Sequence, residues 1–370
     1  MNRDKPPFRA DHVGSLLRPP ELLKARDDFA ENRIAPEELR AAEDEAIREA
    51  VRMQEEAGLK SATDGEFRRA SWHMDFIYKL DGISKAPGDL KVRFENEEGE
   101  IEFTPAAMHI DGKLGVSETI FGDDFEFLKG VANSTPKLTI PSPSMVHYRG
   151  GRAAIDEDLY PDMDSFWEDL TSAYAEEVRR LGELGCAYLQ FDDTSLAYLN
   201  DPKQREYIAS LGGDAAHQHE TYIKNTNRAL ENKPEDMTIT THMCRGNFRS
   251  SWAAEGGYDF VAEALFNDLA VDGFFLEYDD ERSGTFEPLR FVPKDKTVVL
   301  GLVTTKRGDL EDKDALKRRI EEASEYVGIE QICLSPQCGF SSTVEGNELS
   351  SDEQWDKLRL LVETAEEVWG

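Results

Sequence analysis

Thr238-Ile-Thr-Thr-His-Met-Cys244, a helical run Phe260–Leu269, Gly273-Phe-Phe-Leu-Glu-Tyr-Asp279, then Thr297–Val303, a second helical run Asp312–Val327, and Gln331–Pro336: this alternation decides the fold. Short apolar runs rich in β-branched and aromatic residues read as strands buried on both faces. The amphipathic segments between them read as crossover helices, and the alternation implies parallel strands. The same rhythm extends toward the N-terminus. Strands are predicted at His12–Leu17, Ser61–Glu66, Lys137–Ser142 and Tyr188–Asp193, and helices at Pro36–Ala57, Met163–Leu184 and Ala215–Glu231. Ser351–Val368 closes the series as a last helix. Eight strand candidates favour an α/β fold of the closed (β/α)8 TIM-barrel type over the competing open doubly wound sheet.

One segment breaks the rhythm. Asp75–Thr135 shows no long helix and carries alternating strand-like pieces, Leu90–Phe94, Ile101–Phe103 and Met108–Leu114. It predicts a small β insertion, approximately residues 75–135, after strand two, placed to cover the barrel mouth. No internal repeat, low-complexity tract or linker marks a second domain, so residues 1–370 are expected to form a single catalytic barrel.

Composition narrows the function classes. The 75 acidic and 43 basic residues give a net charge of −32, which repels nucleic acid and anionic membrane surfaces. Lys317-Arg318-Arg319 lies at helical spacing and reads as a solvated face. No apolar run is long enough to span a bilayer, and the first residues lack the apolar core of a secretory signal, so a cytoplasmic location is expected. The four cysteines, Cys186, Cys244, Cys333 and Cys338, then read as ligands, catalysts or core residues rather than disulfides.

In a barrel, chemistry sits at the C-terminal ends of strands. His242 and Cys244 end one predicted strand, and residues two apart on a strand point to the same side. Glu277 lies at a similar level on the next strand, and Cys338 follows the last. Taken singly, each residue reads as buried structure; together they deliver N, S, O and S donors to one rim, a set that suits Zn2+. The oxygen ligand stays open between Glu277, Asp279, Glu281 and water. Such a site holds a substrate thiol as the nucleophilic thiolate. Cys186 and Cys333 lie inside apolar stretches and read as core. His217 and His219 sit on a polar helix and read as solvated, and His73 reads as a surface or packing residue. No Gly-x-Gly-x-x-Gly or Walker sequence follows a strand, so no nucleotide cofactor is implied.

Thr241-His-Met-Cys244, Leu276-Glu277 and Pro336-Gln-Cys-Gly339 resemble the zinc motifs of the catalytic barrel of cobalamin-independent methionine synthase. His12-Val-Gly-Ser-Leu-Leu-Arg-Pro19 resembles that family's first strand, Asp64-Gly-Glu66 its Gly-Glu element, and Leu189-Gln-Phe-Asp-Asp193 its Ile-Gln-Ile-Asp-Glu strand. The similarity spans nearly the whole sequence. It implies zinc-dependent methyl transfer to homocysteine, giving methionine. It also implies that Gly14 and Ser15 hold the amino acid carboxylate and that Glu66 and Asp192 hold its ammonium. No further catalytic residue is assignable. Three departures bear on the donor. The family's additional N-terminal barrel has no counterpart in these 370 residues. Asp193 replaces a Glu, and Pro141-Ser-Pro-Ser144 replaces a Gly-Pro segment, followed by His147 and Tyr148, which either stack on a donor ring or pack. Folate, a methylated corrinoid protein or another small methyl compound all remain possible donors. Two other functions compete: a zinc-dependent thiol alkyltransferase of the epoxide:coenzyme M transferase kind, and a non-catalytic zinc or corrinoid-binding module on the barrel shared with porphyrin decarboxylase-like proteins.

Overall fold

The computed structural model describes residues 3–88, 92–96, 99–104, 106–148 and 150–370. Six parallel strands form one sheet in the order Leu138–Pro141, Tyr188–Asp193, Thr238–Met243, Gly273–Glu277, Thr297–Val303 and Ile332–Pro336. The run Thr135–Pro136, just before the first of these, pairs in parallel with Ser61–Ala62. Ala10 bridges in parallel to Leu334 on the last strand, and Leu16 N–H donates to the Gly65 carbonyl at 3.1 Å. The sheet therefore closes on itself as a TIM barrel. Long helices between strands pack outside it, each started by a local signal. Met163–Glu183 begins where the Asp162 carboxylate accepts from Ser165 N–H at 2.8 Å, and Ser351–Trp369 begins with a Ser350/Glu353 capping box. Among the described residues, no helix is long and apolar enough to cross a membrane.

The predicted strand His12–Leu17 does not form a regular strand. Gly14 sits at φ +150°, and its neighbours' carbonyls leave the ladder for interior side chains. Lys137 Nζ donates to the His12 carbonyl, Gln190 Nε2 to Val13 at 2.8 Å, and Thr63 Oγ1 to Gly14 at 2.6 Å. Lys137 is itself buried beside Asp11, Nζ to Oδ1 3.4 Å, and Asp11 also accepts from the Tyr188 hydroxyl at 2.9 Å. Similarly, Ser61–Glu66 is strand only at Ser61–Ala62, because Gly65 and Glu66 turn the chain at φ +66° and +60°.

Between Ser61–Ala62 and Thr135–Pro136, Asp81–Ala86 pairs antiparallel with Ala107–Gly115, and Val92–Asn96 pairs with Gly99–Phe103. The predicted piece Leu90–Phe94 is thus strand from Val92, while Leu90 and Lys91 lie outside the described residues. The segment expected to hold no long helix contains one of ten residues, Gly122–Val131. Its apolar face, Phe125 and Leu128, is buried against the core, and only one or two turns of periodicity announce it.

The barrel interior holds a small apolar cluster of Val13, Phe275, Val299 and Cys333, separate from the large core under the helices. Phe275 faces inward and pairs in register with His242. Glu277, two residues beyond Phe275, therefore points into the same space.

The outer core contains a carboxyl group of measurable consequence. Glu177 is fully buried; one oxygen accepts from Ile120 N–H at 2.9 Å and the other has no hydrogen-bond partner. Burial pushes its pKa up to about 7. With the folded value above the unfolded one, the native state holds more protons between about pH 4.5 and 7, so stability falls as pH rises through that window. Glu177→Gln is expected to flatten that fall. Measured by urea unfolding, it should gain about 2 kcal/mol on the parent chain between pH 4.5 and pH 8. Equal pH dependence in both proteins would show that Glu177 is not the group responsible.

Candidate metal centre

The Thr238–Met243 strand delivers His242 and then Cys244, whose N–H donates to the Asp193 carbonyl at 2.8 Å as the ladder ends. Gly273–Glu277 ends on Glu277 itself, and Ile332–Pro336 leads into Cys338. One donor atom from each of His242, Cys244, Glu277 and Cys338 lies within 4.8 Å of the others, and all four residues are buried. The two sulfur atoms are 3.5 Å apart. Neither ring nitrogen of His242 has a hydrogen-bond partner other than the neighbouring Cys338 sulfur. Two thiolates each about 2.3 Å from a tetrahedral zinc ion stand at a comparable separation, so the donor set fits that metal in type and spacing.

Electrostatics single out the same group. The Cys244 thiol interacts with Cys338, which pushes the Cys338 pKa well down and the Cys244 pKa well up. Burial pulls His242 down, but the Cys338 sulfur, Asp192 and Glu277 outweigh it and leave it raised. Burial raises Glu277 to about 7 despite the nearby Lys306. Glu277 is fixed from behind: Oε1 accepts from Arg245 N–H at 3.0 Å, its carbonyl accepts from Arg245 Nη1 at 2.8 Å, and its N–H donates to the Tyr258 hydroxyl at 2.8 Å. Of the other carboxylates open as ligands, Asp279 instead faces Lys306 Nζ at 3.4 Å, and Glu281 is exposed. Cys186 and Cys333 are buried away from this group, and burial raises both thiols to about 12.

Ser15, Glu66 and Asp192 line one cavity of about 180 Å³ together with His242, Cys244 and Cys338. Gly14 lies just below the rim, where a Cβ would stand 2.8 Å from Thr139 Cγ2. Glu66 adopts a left-handed backbone that a side chain disfavours. Its N–H donates to Asp64 Oδ1 at 2.9 Å, and its Oε1 accepts from Thr139 Oγ1 at 2.8 Å and lies 3.5 Å from Arg69 Nη1. Burial raises Glu66 and takes Asp192 to about 7. Gln190 Nε2 donates to Asp192 Oδ1 at 2.7 Å. Asp193 plays another part: Ser142, Ser144, Ser195 and Leu196 N–H all donate to its carboxylate. Its short side chain is used up in capping the turn beyond the strand.

The Val92–Asn96 hairpin reaches this mouth. Phe94 lines the cavity and meets the Phe248 ring at 5.4 Å, while Glu95 and Trp252 exchange backbone hydrogen bonds of 2.7 and 2.9 Å. His73 meets the Trp72 ring at 4.4 Å in a tilted contact and also lines the cavity. His147 packs inward against Trp167 and Tyr222, whereas Tyr148 borders a second cavity of about 450 Å³ that shares Tyr198 with the first. His219 is buried against Phe260 rather than solvated, because its helix turns that side to the core; His217 is exposed as expected. Thr139, Gln190, Arg245 and Arg18 were not singled out by the sequence. Their side chains act on backbone and carboxylate atoms that only the closed barrel brings near.

A TIM barrel whose strand ends gather an imidazole, two thiols and a carboxylate defines a class of barrel with a candidate thiolate-rich metal centre. Residues 135–367 match the family described as cobalamin-independent synthase, catalytic domain, and the chain belongs to the cobalamin-independent methionine synthase family of methyltransferases. The uncharacterized protein YxjH of Bacillus subtilis is 46% identical over 99% of this chain and 96% of its own. A Listeria monocytogenes structure assigned as a vitamin-B12 independent methionine synthase is 40% identical, with a TM-score of 0.80 and 100% of each chain covered. The structure of a B12-independent methionine synthase from Shewanella in complex with selenomethionine shares the fold, with a TM-score of 0.71 over 97% of each chain at 19% identity.

Proposed function

We propose that this protein is a zinc-dependent S-methyltransferase that converts homocysteine to methionine. The observation that carries the proposal is the convergence of His242, Cys244, Glu277 and Cys338 on one buried point beside a cavity lined by Glu66 and Asp192. When bound there, zinc supplies the charge that keeps a substrate thiol ionised at neutral pH. His242, Cys244, Glu277 and Cys338 hold the ion. Glu66 and Asp192 receive the substrate ammonium, and Gly14 with Ser15 receives its carboxylate. Both carboxyls carry raised pKa values because burial disfavours their charge, and an incoming ammonium would favour the charged form. The apolar side chains Phe94, Phe248 and Trp72 exclude water from the thiol. In the transfer, the sulfur electron pair forms the new S–C bond while the donor leaves with the pair of its old bond; the thiol proton passes to solvent or to the donor.

The reading takes residues 1–370 as one catalytic barrel, acting in the cytoplasm, with 75–135 as its insertion. The methyl donor is placed in the aromatic second cavity bordered by Tyr148, Tyr207 and Trp252, whose shared wall at Tyr198 leads to the first. The test is turnover of homocysteine, and separately of coenzyme M, against methylfolate, a methylated corrinoid protein and small methyl compounds, with zinc quantified in the same sample. Methionine formed with one of these donors at about one zinc per chain supports the proposal. Alkylation of coenzyme M but not homocysteine, or zinc binding without alkylation of any thiol, would replace it.

A further inference from the structure

Three parts of the cavity rim come from neighbouring but poorly laddered segments: Ser15, the turn carrying Glu66, and the loop after Cys338. The third packs directly on the first, since Phe340 N–H donates to the Ser15 carbonyl at 2.9 Å and Ser341 N–H to Ser15 Oγ at 3.3 Å. Contact is tight enough that a Cβ on Gly339 would stand 1.9 Å from Ser15 Oγ. A single guanidinium, three residues beyond Ser15, links the other two. Arg18, which is 7% exposed, directs Nη2 at the carbonyls of Glu66 and Arg69, 2.9 and 2.8 Å away. Its Nη1 donates to Ser341 Oγ at 2.7 Å and to the Thr343 carbonyl at 3.2 Å. The junction uses both terminal nitrogens of a rigid, planar fork, and a lysine ammonium cannot span it.

We propose that Arg18 is a positioning residue for the amino acid end of the substrate: it holds Glu66 in its left-handed conformation and locks that turn to the Cys338 loop, so that the ammonium site and the thiol site keep one fixed separation. The inference rests on the homocysteine reading above. Arg18 is not among the residues lining the cavity and donates to none of the four metal donors; its effect runs through the carbonyls of Glu66, Arg69 and Thr343 and the Ser341 hydroxyl. Both terminal nitrogens are taken by protein acceptors and Nε alone has no hydrogen-bond partner, which places Arg18 behind the substrate rather than against its carboxylate.

The test compares the zinc-loaded full chain with Arg18→Lys and Arg18→Gln, measuring zinc content, homocysteine affinity by calorimetry, and kcat and KM separately. Both variants are expected to keep about one zinc per chain, to bind homocysteine about tenfold or more weakly with KM raised in step, and to change kcat by less than about threefold. A merely structural role would instead lower melting temperature and zinc content together, with KM unmoved, and that result overturns the proposal. Should neither variant fold, hydrogen exchange on the parent chain decides. Homocysteine is expected to slow exchange at residues 339–343 together with 64–69, and unchanged exchange in either segment overturns it. Failure of the parent chain to bind homocysteine at all defeats the functional reading, and is distinguished by needing no variant.

Discussion

Cys338→Ala is expected to release most of the metal and to reduce kcat/KM by about a thousandfold or more. Cys338 supplies one of only two sulfurs in the group, and its sulfur lies 3.5 Å from that of Cys244. Removing it leaves His242, Cys244 and Glu277, a three-donor set in a buried space that water must complete. Metal binding is coupled to deprotonation of its ligands, so the loss should deepen as pH falls. His242→Ala should behave alike, because the imidazole is the one nitrogen donor of the four-residue group. Zinc by atomic absorption and methionine formation, read in one sample, check both. Full zinc and full rate in either variant would remove the metal assignment, leaving the barrel without its chemistry.

Glu66→Gln is expected to weaken homocysteine by about ten- to a hundredfold while zinc stays at the parental level. The amide is nearly isosteric, and its oxygen can still accept from Thr139 Oγ1, so the turn should hold. What disappears is the negative charge facing the ammonium. The charge-assisted hydrogen bond is the stronger kind, which sets the size of the effect. Isothermal titration with homocysteine and with coenzyme M separates electrostatics from shape: only the ammonium-bearing ligand should suffer. Loss of metal along with affinity would mean that Glu66 supports the centre rather than the substrate.

Much of this was legible before any coordinates. The six consecutive strands from Leu138 to Pro336 announce themselves as apolar runs, because both faces of a parallel barrel are buried. His242 and Cys244 were readable from the two-residue period of one strand, and Glu277 from its level on the next. What stayed hidden lies where regular pairing stops. The His12–Leu17 run looks like a strand by composition, yet Gly14 and the side chains of Lys137, Gln190 and Thr63 replace the ladder there. The Gly122–Val131 helix is short and buries few positions, so its periodicity is faint. Burial of His219 depended on which side of its helix met Phe260, and a polar sequence gives no sign of that. Arg18 and Arg245 resembled ordinary charges because their acceptors are main-chain atoms far away in the sequence.

The way the first segment hangs from inward-pointing side chains has a genetic consequence. Lys137 and Gln190 do not line the cavity, yet they suspend the carbonyls of His12 and Val13, just ahead of the Gly14–Ser15 turn. A saturation screen scored on methionine prototrophy should therefore return two tiers of intolerant positions: the rim itself, and a hidden floor whose damage travels upward through a few polar tethers.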